Sequence, residues 1–150
     1  MADKTYFYED FKIGDIYKSG PYHVTAEEIK EFAQKYDPQP FHLDEEAAKK
    51  TIFKGIAASG WHTAAMSMNL LVRALPQIEG GMIGRNVKNL QWHLPVRPDD
   101  VLRYEAEIVN MRASKSKPSI GIIVGHSSTI NQNDEIVQST EVVMIAPRKP

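Results

Sequence analysis

The chain has 150 residues, 42% of them hydrophobic and 25% charged, a composition that excludes a disordered, collagen-like or lipid-embedded polymer. Eighteen Lys and Arg against 19 Asp and Glu leave a formal net charge of −1, without the basic excess that phosphate-backbone binding needs, so no nucleic-acid partner is expected. The lack of cysteine excludes a disulfide framework, a thiolate nucleophile, an iron–sulfur cluster and Cys-ligated zinc.

The opening MADKTYFYEDF has neither the basic-then-apolar order of a secretory signal nor the arginines of a transit peptide, so a cytoplasmic protein is expected. No repeat, low-complexity tract or long linker follows, and residues 1–150 are expected to form one domain. Gly14-Asp15 precedes a short strand-like stretch. Thr25 to Glu28 then reads as a capping box, with Val24 and Ile29 spaced for a hydrophobic staple, so a helix starts there. Ile29, Phe32, Ala33 and Tyr36 share one face of it. Asp37-Pro38-Gln39-Pro40 ends it, because the prolines remove two backbone donors and push Asp37 and Gln39 out of the α region. Asp44 is placed to cap a short second helix that Gly55 would end.

A third helix is expected over residues 59–75, apolar nearly all round through Trp61, Ala64, Ala65, Met66, Met68, Leu70, Leu71, Val72 and Leu75. Such a helix must be enclosed. The uncharged run from Gly55 to Val72 is long enough to suggest a membrane span. Ser59, Gly60, His62, Thr63, Ser67 and Asn69 inside it, and Pro76 after it, fit burial in protein instead, so no membrane partner is expected. After Gly80-Gly81 the texture turns to β, with strands near 85–93, 101–111, 119–130 and 135–145 and a turn at 131–134. Val101, Arg103, Glu105 and Glu107 alternate with Leu102, Tyr104, Ala106 and Ile108, the period of a half-buried strand. Helices first and antiparallel strands after give an α+β domain, a curved sheet over one central helix.

Asp37 and His42 are separated by a segment whose prolines are expected to keep it out of a helix. A carboxylate and an imidazole so placed make an acid/base pair that can activate water. The alternative is structural: Asp before Pro ends a helix, and a His near Asp44 helps to cap one. Ser59-Gly60 stands at the start of the buried helix, where free N–H groups and the positive dipole end can polarise a carbonyl oxygen. Here too a plain reading stands beside it, Ser59 as N-cap and Gly60 as a close-packing glycine. Together Asp37, His42 and the Gly60 amide suit proton transfer beside an activated carbonyl.

Asp37-Pro38-Gln39-Pro40-Phe41-His42-Leu43-Asp44, followed by Phe53, Ile56-Ala57 and Ser59-Gly60, resembles the D-x-N-P-x-H-x-D...F...IA-H-G motif of the MaoC-like dehydratases, (R)-specific enoyl-CoA hydratases of the hot-dog fold. Leu90 to Asp100 resembles that family's F-x-x-P-V-x-x-G-D segment, and the likeness runs from about Phe7 to Ile145. The resemblance implies a hot-dog fold, a homodimer or dimer of dimers with sheets joined edge to edge, and a coenzyme A thioester bound near the subunit interface. It implies reversible hydration of a trans-2-enoyl-CoA to an (R)-3-hydroxyacyl-CoA in fatty-acyl metabolism, with no metal or redox cofactor. Asp37 matches the aspartate that activates water for attack on C3, His42 the histidine that shares the water and helps protonate C2, and Gly60 the glycine whose N–H holds the thioester oxygen. Phe53, Ser59, Trp61 and His62 are expected to line the substrate side, with Trp61 alternatively a packed core residue.

Three positions depart from the family pattern: Gln39 for Asn, Ser59 for His, and Asp99 for Gly. Met68 stands where some family hydratases carry a serine. His93 and His126 lack partners at metal-ligand spacing and are expected to be structural. Arg112, Lys115 and Lys117 form a basic loop, either a solvated hairpin end or a contact for coenzyme A phosphates. Residues 74–85 are expected to help shape the acyl pocket. Two other functions remain open: a hot-dog thioesterase, which needs a carboxylate on the central helix where Gly55 to Val72 has none, and a noncatalytic acyl-thioester-binding module.

Overall fold

In the computed structural model, which describes residues 4–150, a 3-10 turn at Tyr8–Asp10 is followed by β1 (Ile16–His23), α1 (Ala26–Tyr36), α2 (Pro40–Leu43), α3 (Glu45–Lys49), α4 (Gly60–Ala74), β2 (Ile83–Trp92), β3 (Val101–Ala113), β4 (Ile120–Ile130) and β5 (Ile136–Pro147). Residues 1–3 of the expected domain lie outside the described residues. The strands form one antiparallel sheet in the order β1-β3-β4-β5-β2, which curves about α4.

One face of α4 is enclosed, while Trp61, Met68 and Val72 on the other stay exposed, so the full enclosure expected from the sequence is not reached within one chain. Met66, Leu70 and Leu71 pack with Leu102 and Tyr104 of β3 and Val137, Val142 and Met144 of β5 in the main core. Hydroxyls tie the helix to the sheet: the buried Ser67 Oγ donates to Thr63 O at 2.7 Å and lies 2.6 Å from Thr129 Oγ1 of β4, while the half-buried Ser19 of β1 donates to Leu70 O. With 15 residues the helix is about 22 Å long, below the ~30 Å hydrocarbon thickness of a bilayer. No helix among the described residues is long and apolar enough to cross a membrane.

A second cluster, Phe11, Ile78, Ile108, Ile123 and Ala146, gathers Tyr6, Tyr8 and Tyr17 around it and shares Leu75 and Met82 with the first. It closes the end of the sheet beyond the last turn of α4. Tyr6 N–H donates to Gln77 O at 2.8 Å, and Glu79 N–H donates to Tyr6 O at 3.0 Å.

Several elements differ from expectation for identifiable reasons. The connection from Asp37 to His42 is not free of helix, because Pro40 sits at the first helical position of α2, where its missing N–H costs nothing. The second helix is a five-residue turn, α3, capped by Asp44 Oδ1 accepting from Ala47 N–H at 2.7 Å. Thr25 caps α1 by accepting from Glu28 N–H at 3.1 Å, but the Glu28 carboxylate turns to Tyr22 and His62 rather than completing the box. Since Leu70 is fully buried at the centre of the main core, Leu70→Ala should lower unfolding free energy by about 2–5 kcal/mol in urea titrations; a change below ~1 kcal/mol would mean the helix is not the organising element.

Candidate active site

The site begins where α1 ends. Asp37 N–H closes the last turn on Ala33 O at 2.9 Å, and Gln39 N–H bonds back to Asp37 O at 2.8 Å, which turns the chain into α2. His42, on the inner side of α2, is only 4% exposed. Its Nδ1 lies 2.6 Å from Ala57 O, a contact that requires Nδ1–H as donor, and its Nε2 lies 3.1 Å from Asp37 Oδ2. With Nδ1–H committed to a carbonyl, a bond between Nε2 and the carboxylate needs one further proton.

The Asp37 carboxylate is held as an anion on both oxygens. Gln39 Nε2 donates to Oδ1 at 2.6 Å, so the longer amide that replaces the family's Asn still reaches the carboxylate. Burial pushes Asp37 up, but the Gln39 amide, the nearby Ser59 hydroxyl and His42 outweigh it and hold the group below its ordinary range. Ser59 influences Asp37 from close by without a hydrogen bond of its own: Oγ is buried with no partner and does not cap α4, contrary to the N-cap reading.

His42, Phe53, Gly60, Thr63, Trp92 and His93 line a cavity of about 360 Å³ beside this pair. Gly60 opens α4, so its N–H has no carbonyl one turn back. Carbons of the Trp92 ring lie 2.7 Å from the point a Cβ on Gly60 would occupy, so position 60 has room for glycine alone. The irregular chain leading into α4 is pinned from the next loop. The Arg97 guanidinium donates to Gly55 O at 2.9 Å, to Ile56 O at 3.1 Å and to Phe53 O, and Ala58 N–H donates to Val96 O at 2.8 Å. Arg97 N–H and Asp100 Oδ2 close that loop at 2.8 Å. Asp99 has φ +68°, the left-handed conformation in which the family's glycine is at ease and aspartate is tolerated.

The structure brings Asp37, His42, Gly60, Ser59 and Phe53 together and separates the rest. His62 stands apart: two residues along a helix turn it roughly 200° from Gly60, and it is buried against α1, outside the lining of the cavity that His42 and Gly60 share. Trp61 is 62% exposed, not a core residue; it meets Trp92 edge-on at 5.3 Å and lines a neighbouring apolar cavity of about 300 Å³ with Met68, Leu71 and Val142. His93 pairs with Ser139 at 2.7 Å and also lines the cavity beside His42. His126 pairs with Glu141 at 3.2 Å, and among the described residues no three His, Asp or Glu gather as a metal site. Residues 74–85 line neither cavity, because Leu75, Ile78 and Met82 face the clusters at the other end of α4. The basic hairpin of Arg112, Lys115 and Lys117 lies at the far end of β3 from Asp100, roughly 40 Å along an extended strand. Trp92 and Arg97 lie within the Leu90 to Asp100 segment, Arg97 as the x of P-V-x-P-D, and the sequence alone assigns neither a role.

A lowered carboxyl pKa contributes stability that is present above the unfolded value and lost as pH falls through the folded one. The stability difference between wild type and Asp37→Asn should therefore move in favour of the variant as pH drops below the ordinary value of 3.8. Urea midpoints measured from pH 6 to pH 3 check this; a pH-independent difference would mean Asp37 is not held as an anion.

Residues 10–129 match the MaoC like domain. The crystal structure of the MaoC-like dehydratase from Rhodospirillum rubrum is 44% identical and superposes with a TM-score of 0.90, over 97% of this chain and 99% of that one. The (R)-hydratase from A. caviae involved in PHA biosynthesis is 25% identical, with a TM-score of 0.75 over 95% of this chain and 99% of that one. The 3-hydroxybutyryl-CoA dehydratase of Methylorubrum extorquens is 25% identical over 146 residues, 95% of this chain and 85% of that protein. With four-fifths of its length matched and its antiparallel sheet wrapped on a central helix, the chain belongs to the MaoC-like dehydratase family and has the hot-dog fold.

Proposed function

We propose that the protein adds water reversibly to a trans-2-enoyl-CoA thioester, giving an (R)-3-hydroxyacyl-CoA. Membership of a dehydratase family supports hydratase or dehydratase chemistry. The observation that carries the finer assignment is the 3.1 Å contact between His42 Nε2 and Asp37 Oδ2 beside a cavity that His42 shares with Gly60.

In this mechanism Asp37 takes a proton from water as the water oxygen attacks C3 of the enoyl group. His42, its ring fixed by the bond from Nδ1–H to Ala57 O, uses Nε2 to share that water and to deliver a proton to C2. The Gly60 N–H, at the positive end of α4, holds the thioester oxygen while enolate charge develops on it. OH ends on C3 and H on C2, and the proton taken by Asp37 passes to His42 Nε2 across their 3.1 Å contact, which restores both groups. No metal or redox cofactor enters these steps, and coenzyme A is carried by the substrate. Phe53 bounds the reacting end, while the Ser59 hydroxyl is buried and does not line the cavity.

Loss of enoyl-thioester absorbance on short, branched and medium-chain enoyl-CoAs tests the assignment. Asp37→Asn and His42→Gln should each slow it by about 10² to 10⁴, with no free thiol released. Thiol release by the wild type would point to a thioesterase, and thioester binding without turnover to a binding module.

A second copy of the chain is the proposed partner. Among the described residues the outer edge of β2 has no strand beside it, its Ile83 stands 64% exposed, and α4 leaves Trp61 and Val72 exposed. The opposite edge, β1, is bent by a register shift between Ser19 and Tyr22 and carries Lys18, both devices that discourage pairing. Edge-to-edge joining at β2 would pair the free backbone groups and cover the apolar face beside the site. Light scattering on the wild type should give a dimer or a multiple of it, and Ile83→Lys combined with Val72→Glu should give a folded monomer. A monomeric wild type at micromolar concentration would remove the proposal.

A further inference from the structure

His62 is 3% exposed and has no part in the steps above. Its Nε2 lies 3.2 Å from Glu28 Oε1, and its ring stacks on Phe32 with centroids 4.8 Å apart and planes 9° from parallel. Nδ1 is buried without a partner, which places the ring proton on Nε2, where Glu28 accepts it. The same Glu28 oxygen accepts the Tyr22 hydroxyl. Burial and the Glu28 carboxylate push the Tyr22 phenol up to about 12, so it stays a donor. One carboxylate thus gathers donors from β1 and α4 onto the first turn of α1.

The two helices in this cluster carry the reacting groups at their ends. Asp37 follows the last residue of α1, and Gly60 is the first residue of α4. From Glu28 to Asp37 is about 13 Å of helix, a stiff arm whose slide or rotation against α4 changes the spacing between the Asp37 carboxylate and the Gly60 amide. Phe32 and Tyr36, with ring centroids 5.0 Å apart, continue the aromatic packing from His62 toward Asp37. A misplacement of about 1 Å can cost on the order of 10² in rate.

We propose that His62 is a positioning residue: by clamping Glu28 and Phe32 to the first turn of α4, it sets the distance between the base on α1 and the oxyanion donor on α4. Its kinetic consequence rests on the hydration reading above; its structural consequence does not.

The test compares His62→Phe, which keeps a ring on Phe32 but loses the donor, with His62→Gln, which keeps a donor but loses the ring. With trans-2-butenoyl-CoA, His62→Phe should lower kcat about tenfold or more while KM stays within about twofold. His62→Gln should recover most of that loss. In substrate-free protein the NMR resonances of the Asp37 carboxyl carbon and the His42 ring should move in His62→Phe and return toward wild type in His62→Gln. Unchanged kcat and unmoved Asp37 and His42 resonances would overturn the proposal, whatever happens to Tm. If His62→Phe does not fold, Tyr22→Phe removes another donor to Glu28 and should move both readouts the same way by less; no movement there overturns the proposal equally. A wild type without hydratase activity would refute the hydration reading alone, and the substrate-free resonances would still decide the role of His62.

Discussion

A helix that is apolar on most of its circumference has no stable place in water, and the arrangement of this protein follows from giving α4 one. The sheet has to curve to reach around it, and the strands carry the means. Register shifts interrupt the pairing between Ser19 and Tyr22 of β1, at two places in β2, and between Ile108 and Asn110 of β3. Such irregularities increase local twist and bend the strand that carries them. Once α4 is held along its length by Leu70, Met66 and the Ser67 hydroxyl, its N-terminus becomes a fixed point. The amide of Gly60 is therefore carried by the most constrained element in the molecule.

The other half of the site is built from irregular chain, and polar side chains supply the constraint that regular structure would have given. Residues 53–58 have no ladder to satisfy their backbone groups. Arg97 takes three of the carbonyls, His42 takes that of Ala57, and Val96 accepts from Ala58 N–H. A buried carbonyl left unpaired is costly, so these bonds hold the loop as well as satisfy it. His42 does both tasks with one ring: Nδ1–H anchors the loop, and the anchoring aims Nε2 at Asp37. The imidazole orientation thus comes from a backbone carbonyl, without a second carboxylate behind it.

Much of this was legible in the sequence because the signals were local. Period-two alternation marked β3, the all-round apolar run marked α4, and Thr25 and Asp44 marked two helix starts, all to within a residue or two. The Asp37–His42 pair was legible because prolines on either side of Gln39 force a turn that brings residues five apart into contact. Facing was not legible. Trp61 and His62 are neighbours in sequence, but which face of α4 meets the sheet is decided by residues more than sixty positions away, such as Thr129. His93 likewise became a cavity residue only through the pairing of β2 with β5. Residues 74–85 turn away from the site because their partner, the N-terminal segment around Tyr6, lies about seventy residues earlier and carries no periodic signal.

The packing of Trp92 on Gly60 joins two positions 32 residues apart into one evolutionary unit. A side chain at 60 is admissible only if the indole at 92 has first been replaced or turned aside, and turning it aside also breaks its bond from Nε1 to Gln138 and its contact with Trp61. Changes at these positions are therefore order-dependent, since a side chain at 60 meets the indole only while Trp92 is in place. Among relatives the residues at 60 and 92 should vary together or stay fixed together. The packing around the start of α4 is then inherited with position 92 rather than adjusted independently of it.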